Sequence, residues 1–267
     1  MIREPVVCGQ FYPKQKEQIA EFILKFSSEK STKVDAKGII LPHAGYMYSG
    51  EVAVKTVSCI ASKKRVIILG PNHTGIGPDF AVWPKGKWKT PMGLAEIDEE
   101  LAMDIISAGS LIKESYESHL EEHSIEVELP ILQYFFSGFR FVPIACKQAD
   151  IQYYREAARI IFEKIKKYKN EVLVVASTDL THYEPDSSAR KKDSYAIEAI
   201  INLDDDALLK TVKKYNISMC GTAPVSVFIS CMKMYKASKV EVCLYKTSGD
   251  ASHDFTSVVG YAGILAK

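Results

Sequence analysis

A chain of 267 residues with 34 basic and 33 acidic side chains carries a formal net charge of +1, which leaves no electrostatic footprint for nucleic acid or an anionic membrane surface. Its 47% hydrophobic and 25% charged content is that of an ordinary soluble protein, long enough for one substantial core or two small ones. No apolar run approaches the ~20 residues that span a bilayer, the start Met1-Ile2-Arg3-Glu4-Pro5 has no signal-peptide apolar region, and the six cysteines are scattered without a Cys-x-x-Cys pair, so the expectation is a cytoplasmic protein with free thiols.

In chain order, the periodicity predicts a helix over 15–28, a strand over 38–42, a helix over 50–61, and strands over 65–70 and 79–83. Helices follow over 98–108 and 122–136, then a strand over 140–145, a helix over 151–168 and a strand over 171–177. Helices over 188–202, 204–214 and 221–235 and strands over 239–246 and 256–264 complete the chain. In 151–168, Ile151, Tyr154, Ala158, Ile161 and Ile165 recur at three- and four-residue spacing, the stripe of an amphipathic helix, with Asp150 placed to cap it. The Pro- and Gly-rich stretch 74–95 suits a hairpin or a lid. Strand–helix alternation implies an α/β fold, a single three-layer α/β/α domain over 1–267 with a largely parallel or mixed central sheet.

The chemistry-bearing residues stand at strand ends. His43 follows Gly38-Ile39-Ile40-Leu41, His73 follows Arg65-Val66-Ile67-Ile68-Leu69, and His182 follows Val172-Leu173-Val174-Val175. The carboxyl ends of parallel strands are where α/β proteins place ligands, so three such histidines suggest a metal site or a multi-histidine acid/base site. Gly70-Pro71-Asn72-His73-Thr74-Gly75 lacks the Gly-Lys-Ser/Thr ending of a phosphate loop. Asp179 is near enough to His182 in a turn for a carboxylate to orient the imidazole. The run Glu122-His123-Ser124-x-Glu126-x-Glu128 reads either as a solvated charged helix face or as a helix N-terminus that aims His123 at the pocket as a proton donor. Cys220, before an apolar helix, is expected to feel the positive helix end and to have a lowered thiol pKa.

Six segments together resemble the Memo family, which is similar in fold to class III extradiol-type non-heme iron dioxygenases. They are Arg3-x-Pro5-x-x-Cys8-Gly9-x-Phe11-Tyr12-Pro13, Pro42-His43-Ala44-Gly45-Tyr46, Gly70-Pro71-Asn72-His73, Glu122-His123-Ser124-x-Glu126-x-x-Leu129-Pro130, Ser177-x-Asp179-x-x-His182-Tyr183 and Cys220-Gly221-x-x-Pro224-Val225, followed by Ser257-Val258-Val259-Gly260-Tyr261-Ala262. The resemblance implies a metal crevice formed by His43, His73 and Cys220, with Asp179, His182 and His123 around it. It implies a cysteine where the dioxygenases place a carboxylate, and a soft thiolate suits iron, copper or zinc. It also implies association with a small partner domain and a radical-SAM protein. His119 and His253 fall outside the motifs.

Three functional readings follow. In the first, iron or copper held by His43, His73 and Cys220 serves a metal-dependent oxidoreductase of dioxygenase-like type, with His182, oriented by Asp179, as base and His123 as proton donor. In the second, the crevice is a non-catalytic module for a small-molecule, peptide or partner ligand, served by exposed Tyr46, Tyr48, Trp83 and Trp88; members of the resembled family are discussed as adaptors for phosphorylated peptides. In the third, Cys220 as nucleophile or a zinc ion makes a hydrolase.

Overall fold

The computed structural model describes residues 1–27 and 33–267. Its strands are β1 (Ile2–Arg3), β2 (Gly38–Leu41), β3 (Arg65–Pro71), β4 (Phe80–Val82), β5 (Lys87–Thr90), β6 (Gly93–Ile97), β7 (Ile112–Glu114), β8 (Arg140–Cys146), β9 (Val172–Ser177), β10 (His182–Glu184), β11 (Val240–Thr247) and β12 (Val258–Ala266). Its helices are α1 (Lys16–Phe26), α2 (Glu51–Ser58), α3 (Glu99–Ile106), α4 (Glu117–Leu120), α5 (Leu129–Phe135), α6 (Ile151–Ile165), α7 (Asp186–Ile201), α8 (Asp205–Tyr215), α9 (Thr222–Met234) and α10 (Gly249–Ser252). Ser28, the last residue of the helix expected over 15–28, lies outside the described residues.

The strands form one mixed sheet in the order β1-β5-β6-β8-β3-β9-β2-β12-β10, with β11 beside β12 and β4 joining β8 to β7. Strands β6, β8, β3, β9 and β2 run parallel, and β12 is antiparallel to β2. The apolar, β-branched runs of β2 and β9 are buried at every residue, as strands covered on both faces must be. Helix α9 covers one face, where Gly38 lies against Phe228 and Met232, and α2 covers the other, where Gly263 lies against Thr56. Helix α6 lays Tyr154, Ala157, Ala158, Ile161 and Ile165 into the core beside α9. Each large apolar side chain buried there contributes about 1.5–3 kcal/mol. Asp150 occupies the N-cap position of α6, yet its side chain makes no capping bond.

Several expectations are corrected. Residues 122–136 are not one helix: α5 begins at Leu129, with Pro130 in its first turn, after a 3-10 turn over Glu126–Glu128. The Glu122 carboxylate accepts the backbone N–H groups of His123 and Ser124, 2.9 Å each, and this local bond competes with helix formation. Glu122, Glu126 and Glu128 are buried, so the segment is no solvated charged face. Stretch 74–95 does contain a hairpin, β5–β6, but it extends the sheet toward β1 and does not line the crevice. Trp83 and Trp88, expected at the surface, are each 1% exposed, and Tyr46 is buried as well. Trp88 lies under the Arg3 guanidinium at 4.1 Å.

Arg3 and Glu126 pair at 2.6 Å with both side chains buried. Glu126 also accepts the backbone N–H groups of Val6 and Val7 and the Tyr12 hydroxyl. This carboxylate therefore pins residues 3–12 across the molecule, and Phe11 from that segment reaches the crevice. Among the described residues no helix is long and apolar enough to cross a membrane.

Candidate metal centre

The parallel strands β2, β3 and β9 end side by side, with Leu41 paired to Ser177 and Leu69 to Ala176. Each hands its chain to a loop that carries a site residue. Past β2, the His43 backbone N–H donates to Asp179 Oδ1 at 2.9 Å and its ring Nδ1 lies 2.7 Å from Ser177 Oγ. Past β3, the His73 N–H donates to Glu122 Oε2 at 2.5 Å and its Nδ1 lies 2.9 Å from Glu122 Oε1. His123 stacks on His73, with ring centroids 4.8 Å apart, and both meet His43 edge-on at 5.5 and 5.4 Å. His43, His73 and His123 each offer a donor atom within 4.8 Å of the others.

Cys220 Sγ stands 3.4 Å from His43 Nε2 and accepts the Asp179 N–H at 3.2 Å. Its position depends on Gly221, whose N–H donates to Thr178 Oγ1 at 2.9 Å; a Cβ there would fall 2.3 Å from Thr178 Cβ. Of the expected trio, His43 and His73 meet, and Cys220 meets His43. The third member of the mutually close set is His123, the residue expected to donate a proton. A second cluster, the acidic Asp204, Asp205 and Asp206, is accounted for by the α8 cap and by pairing with Arg155 and Lys233.

The electrostatics prepare these side chains unequally. Burial, aided by the two neighbouring imidazoles, holds His43 well below the usual histidine range. Burial also lowers His123, with Glu122 opposing. Both rings are therefore neutral and have lone pairs to give. Burial works against the charge of His73, but the Glu122 hydrogen bond and charge outweigh it and raise the pKa. Burial likewise opposes ionisation of Glu122, yet His73 and the backbone donors hold it at about 2. Burial pushes Asp179 up to about 7 against the N–H groups of His43 and Ala44. The Cys220 thiol is pushed up, first by burial and then by Asp179. This corrects the expected lowering: Cys220 precedes the Gly221 N-cap, and desolvation exceeds the pull of the helix end.

His182 is placed differently from expectation too. Its Nδ1 lies 2.7 Å from the Leu180 carbonyl, which can only accept, so Nδ1 carries the hydrogen and Nε2 is the free basic nitrogen. Asp179 holds the His43 loop rather than the His182 ring. His119 is buried in the core with Nε2 at 3.0 Å from the Ala81 carbonyl, and His253 ends α10.

A profile of the Memo-like protein family matches residues 3–265. The chain belongs to the Memo family. A MEMO1 family protein of Methanopyrus kandleri is 40% identical, covering 100% of this chain and 99% of its own. One from Aquifex aeolicus is 39% identical over 99% and 98%. Among solved structures, the uncharacterized protein JW3007 from Escherichia coli K12 superposes with a TM-score of 0.55 at 11% identity, over 84% of this chain and 98% of that one; that likeness is one of fold.

The Memo-family crevice of this chain has a volume of about 580 Å³. Phe11, Tyr48, Tyr183 and Tyr261 surround the three histidines. Tyr48 is brought there by the π-helical turn Tyr46–Gly50, anchored by the Tyr46 hydroxyl donating to the Val127 carbonyl at 2.9 Å. Tyr183 is 78% exposed with φ +58, a backbone state uncommon for a bulky residue. Sequence reasoning missed Glu122 and Ser177 as partners of the histidine rings. Their only signal was their place inside two of the motifs.

Proposed function

We propose that this Memo-family protein binds one redox-active transition metal, iron or copper, in the crevice and acts as a metal-dependent oxidoreductase. The observation that carries the reading is the convergence of the His43, His73 and His123 donor atoms within 4.8 Å, with the Cys220 sulfur 3.4 Å from His43. That spacing suits two ligands of one ion, since metal–nitrogen and metal–sulfur bonds of about 2.0 and 2.3 Å put tetrahedral neighbours that far apart. A donor set of imidazoles and a thiol suits iron, copper or zinc. Bound there, iron or copper would supply one-electron chemistry and Lewis acidity.

The chain's own residues do the rest. Ser177 and Glu122 engage the Nδ1 atoms of His43 and His73, which turns their Nε2 atoms outward. His182 presents a free Nε2 to the same crevice and takes a proton from substrate. The aromatic rim orients a flat or apolar ligand and excludes water. Cys220 is a poor nucleophile while its thiol keeps its proton, which speaks against the cysteine hydrolase. The aromatic rim supports a second reading, a partner-binding module, now resting on Phe11, Tyr48, Tyr183 and Tyr261.

The test is oxygen uptake by protein loaded anaerobically with Fe(II) or Cu(I), challenged with aromatic and thiol substrates. Turnover that His43→Ala abolishes supports the oxidoreductase. A loaded, coordinatively saturated protein that consumes no oxygen with any of them refutes it; retention of partner binding by His43→Ala would then favour the module.

A further inference from the structure

Three groups converge on the hydroxyl of Ser177. Its Oγ lies 2.7 Å from His43 Nδ1, 2.8 Å from Glu128 Oε1 and 2.8 Å from the Ser124 carbonyl oxygen. Ser177, His43 and Glu128 are all buried. A serine hydroxyl has one proton to give and two lone pairs to receive with. The Ser124 carbonyl can only accept, so it takes the serine proton. Both other neighbours must then donate.

For His43, donation means a hydrogen on Nδ1 and a lone pair on Nε2, the nitrogen that faces Cys220. For Glu128, it means a hydrogen on Oε1. The other Glu128 oxygen, Oε2, is buried and has no hydrogen-bond partner among the described residues. A neutral acid tolerates a lone carbonyl oxygen there far better than a carboxylate tolerates an unpaired charge. An ionised Glu128 would also set two acceptors against a single serine proton.

We propose that Glu128 is a positioning residue, a neutral carboxylic acid whose O–H donates to Ser177 Oγ and so holds that hydroxyl with its proton on the Ser124 carbonyl, where it receives the His43 Nδ1–H and leaves Nε2 open to the crevice. Burial pushes the Glu128 carboxyl well above the usual range, and the Asp179 charge adds to it. The chain Glu128–Ser177–His43 is the counterpart, for an uncharged ring, of the Glu122–His73 pair. Its value for metal binding rests on the proposed function; the protonation pattern does not.

Two readouts use the metal-free protein. Infrared difference spectra of wild type against Glu128→Gln at neutral pH should contain the C=O band of a buried protonated carboxyl, lost in the variant. Nitrogen-15 NMR should show His43 as the Nδ1–H tautomer in wild type, in Glu128→Gln and in Glu128→Met, where Ser124 still takes the serine proton, and a mixed tautomer in Ser177→Ala. Affinity for Fe(II) should be nearly unchanged in Glu128→Gln and fall about tenfold or more in Glu128→Met and Ser177→Ala. Absence of the carboxyl band, or a His43 tautomer indifferent to Ser177→Ala, overturns the assignment. If band and tautomer appear as described while wild type binds neither iron nor copper, the proposed function fails and the Glu128 assignment stands.

Discussion

Glu122 receives the His73 N–H, the His73 ring, the His123 N–H and the Ser124 N–H, and so binds two site loops together. Its folded pKa, about 2, lies below the ordinary 4.5. The stabilisation is therefore complete above pH 4.5 and lost as the pH falls through about 2, a loss of about 3 kcal/mol. His73 is shifted the other way, so its share is complete below 6.5 and lost as the pH rises through its folded value. Both charges are in place between about pH 4.5 and 6.5. Urea unfolding of metal-free wild type and Glu122→Gln should differ most in that window and converge toward pH 2; a difference independent of pH would contradict the pairing. Cys220 gives a second expectation at this scale. Its thiol holds a proton that a metal must displace, so affinity should rise by roughly tenfold per pH unit for each proton released. Competition titrations at two pH values check this, and a flat affinity would argue against thiolate ligation. At the level of single residues, the meeting of His43 with His73 was legible because both follow buried parallel strands. Glu122 was not, because glutamates at short spacing read alike whether they face solvent or fold back on a turn.

The buried pair of Arg3 and Glu126 helps to hold the segment over residues 3–12, whose Phe11 reaches the crevice. Breaking a buried ion pair from one side leaves an unpaired charge, so Arg3→Met should destabilise by about 3–5 kcal/mol in urea unfolding. Loss of the pin should also let Phe11 leave His123, whose ring centroid it now approaches to 5.0 Å. A change under 1 kcal/mol would mean the segment is held elsewhere. The long elements could be read from periodicity because burial sets it: the stripe of α6 and the runs of β2, β3 and β9 are core residues. The short ones could not. Strands β5, β6 and β7 are three to five residues long and partly exposed, too brief to establish a period. The start of α5 is moved by side-chain bonds from Glu122 that no hydropathy pattern contains.

Across the molecule, the mixed sheet with α2 and α9 on opposite faces puts the loops after β2, β3 and β9 at one end. Alternation of strands and helices carried that much from the sequence, whereas strand order and the antiparallel β12 depend on contacts between distant segments. A ligand held by loops from several elements should stabilise the whole fold. At free metal about 100-fold above the dissociation constant, the gain is about 2.7 kcal/mol, a rise in melting temperature on the order of 5–10 °C for a domain of this size. Thermal melts with and without Fe(II) or Cu(I) measure it, and no shift in wild type would count against binding.

The most direct measurement is metal content together with X-ray absorption at the metal edge, on protein purified anaerobically, for wild type, His43→Ala and Cys220→Ser. About one iron or copper per chain is expected, bound by nitrogen ligands with a sulfur neighbour that Cys220→Ser removes, and no bound metal in His43→Ala. Wild-type protein that takes up neither metal under reducing conditions, or His43→Ala that keeps it, would rule out a metal centre built on His43.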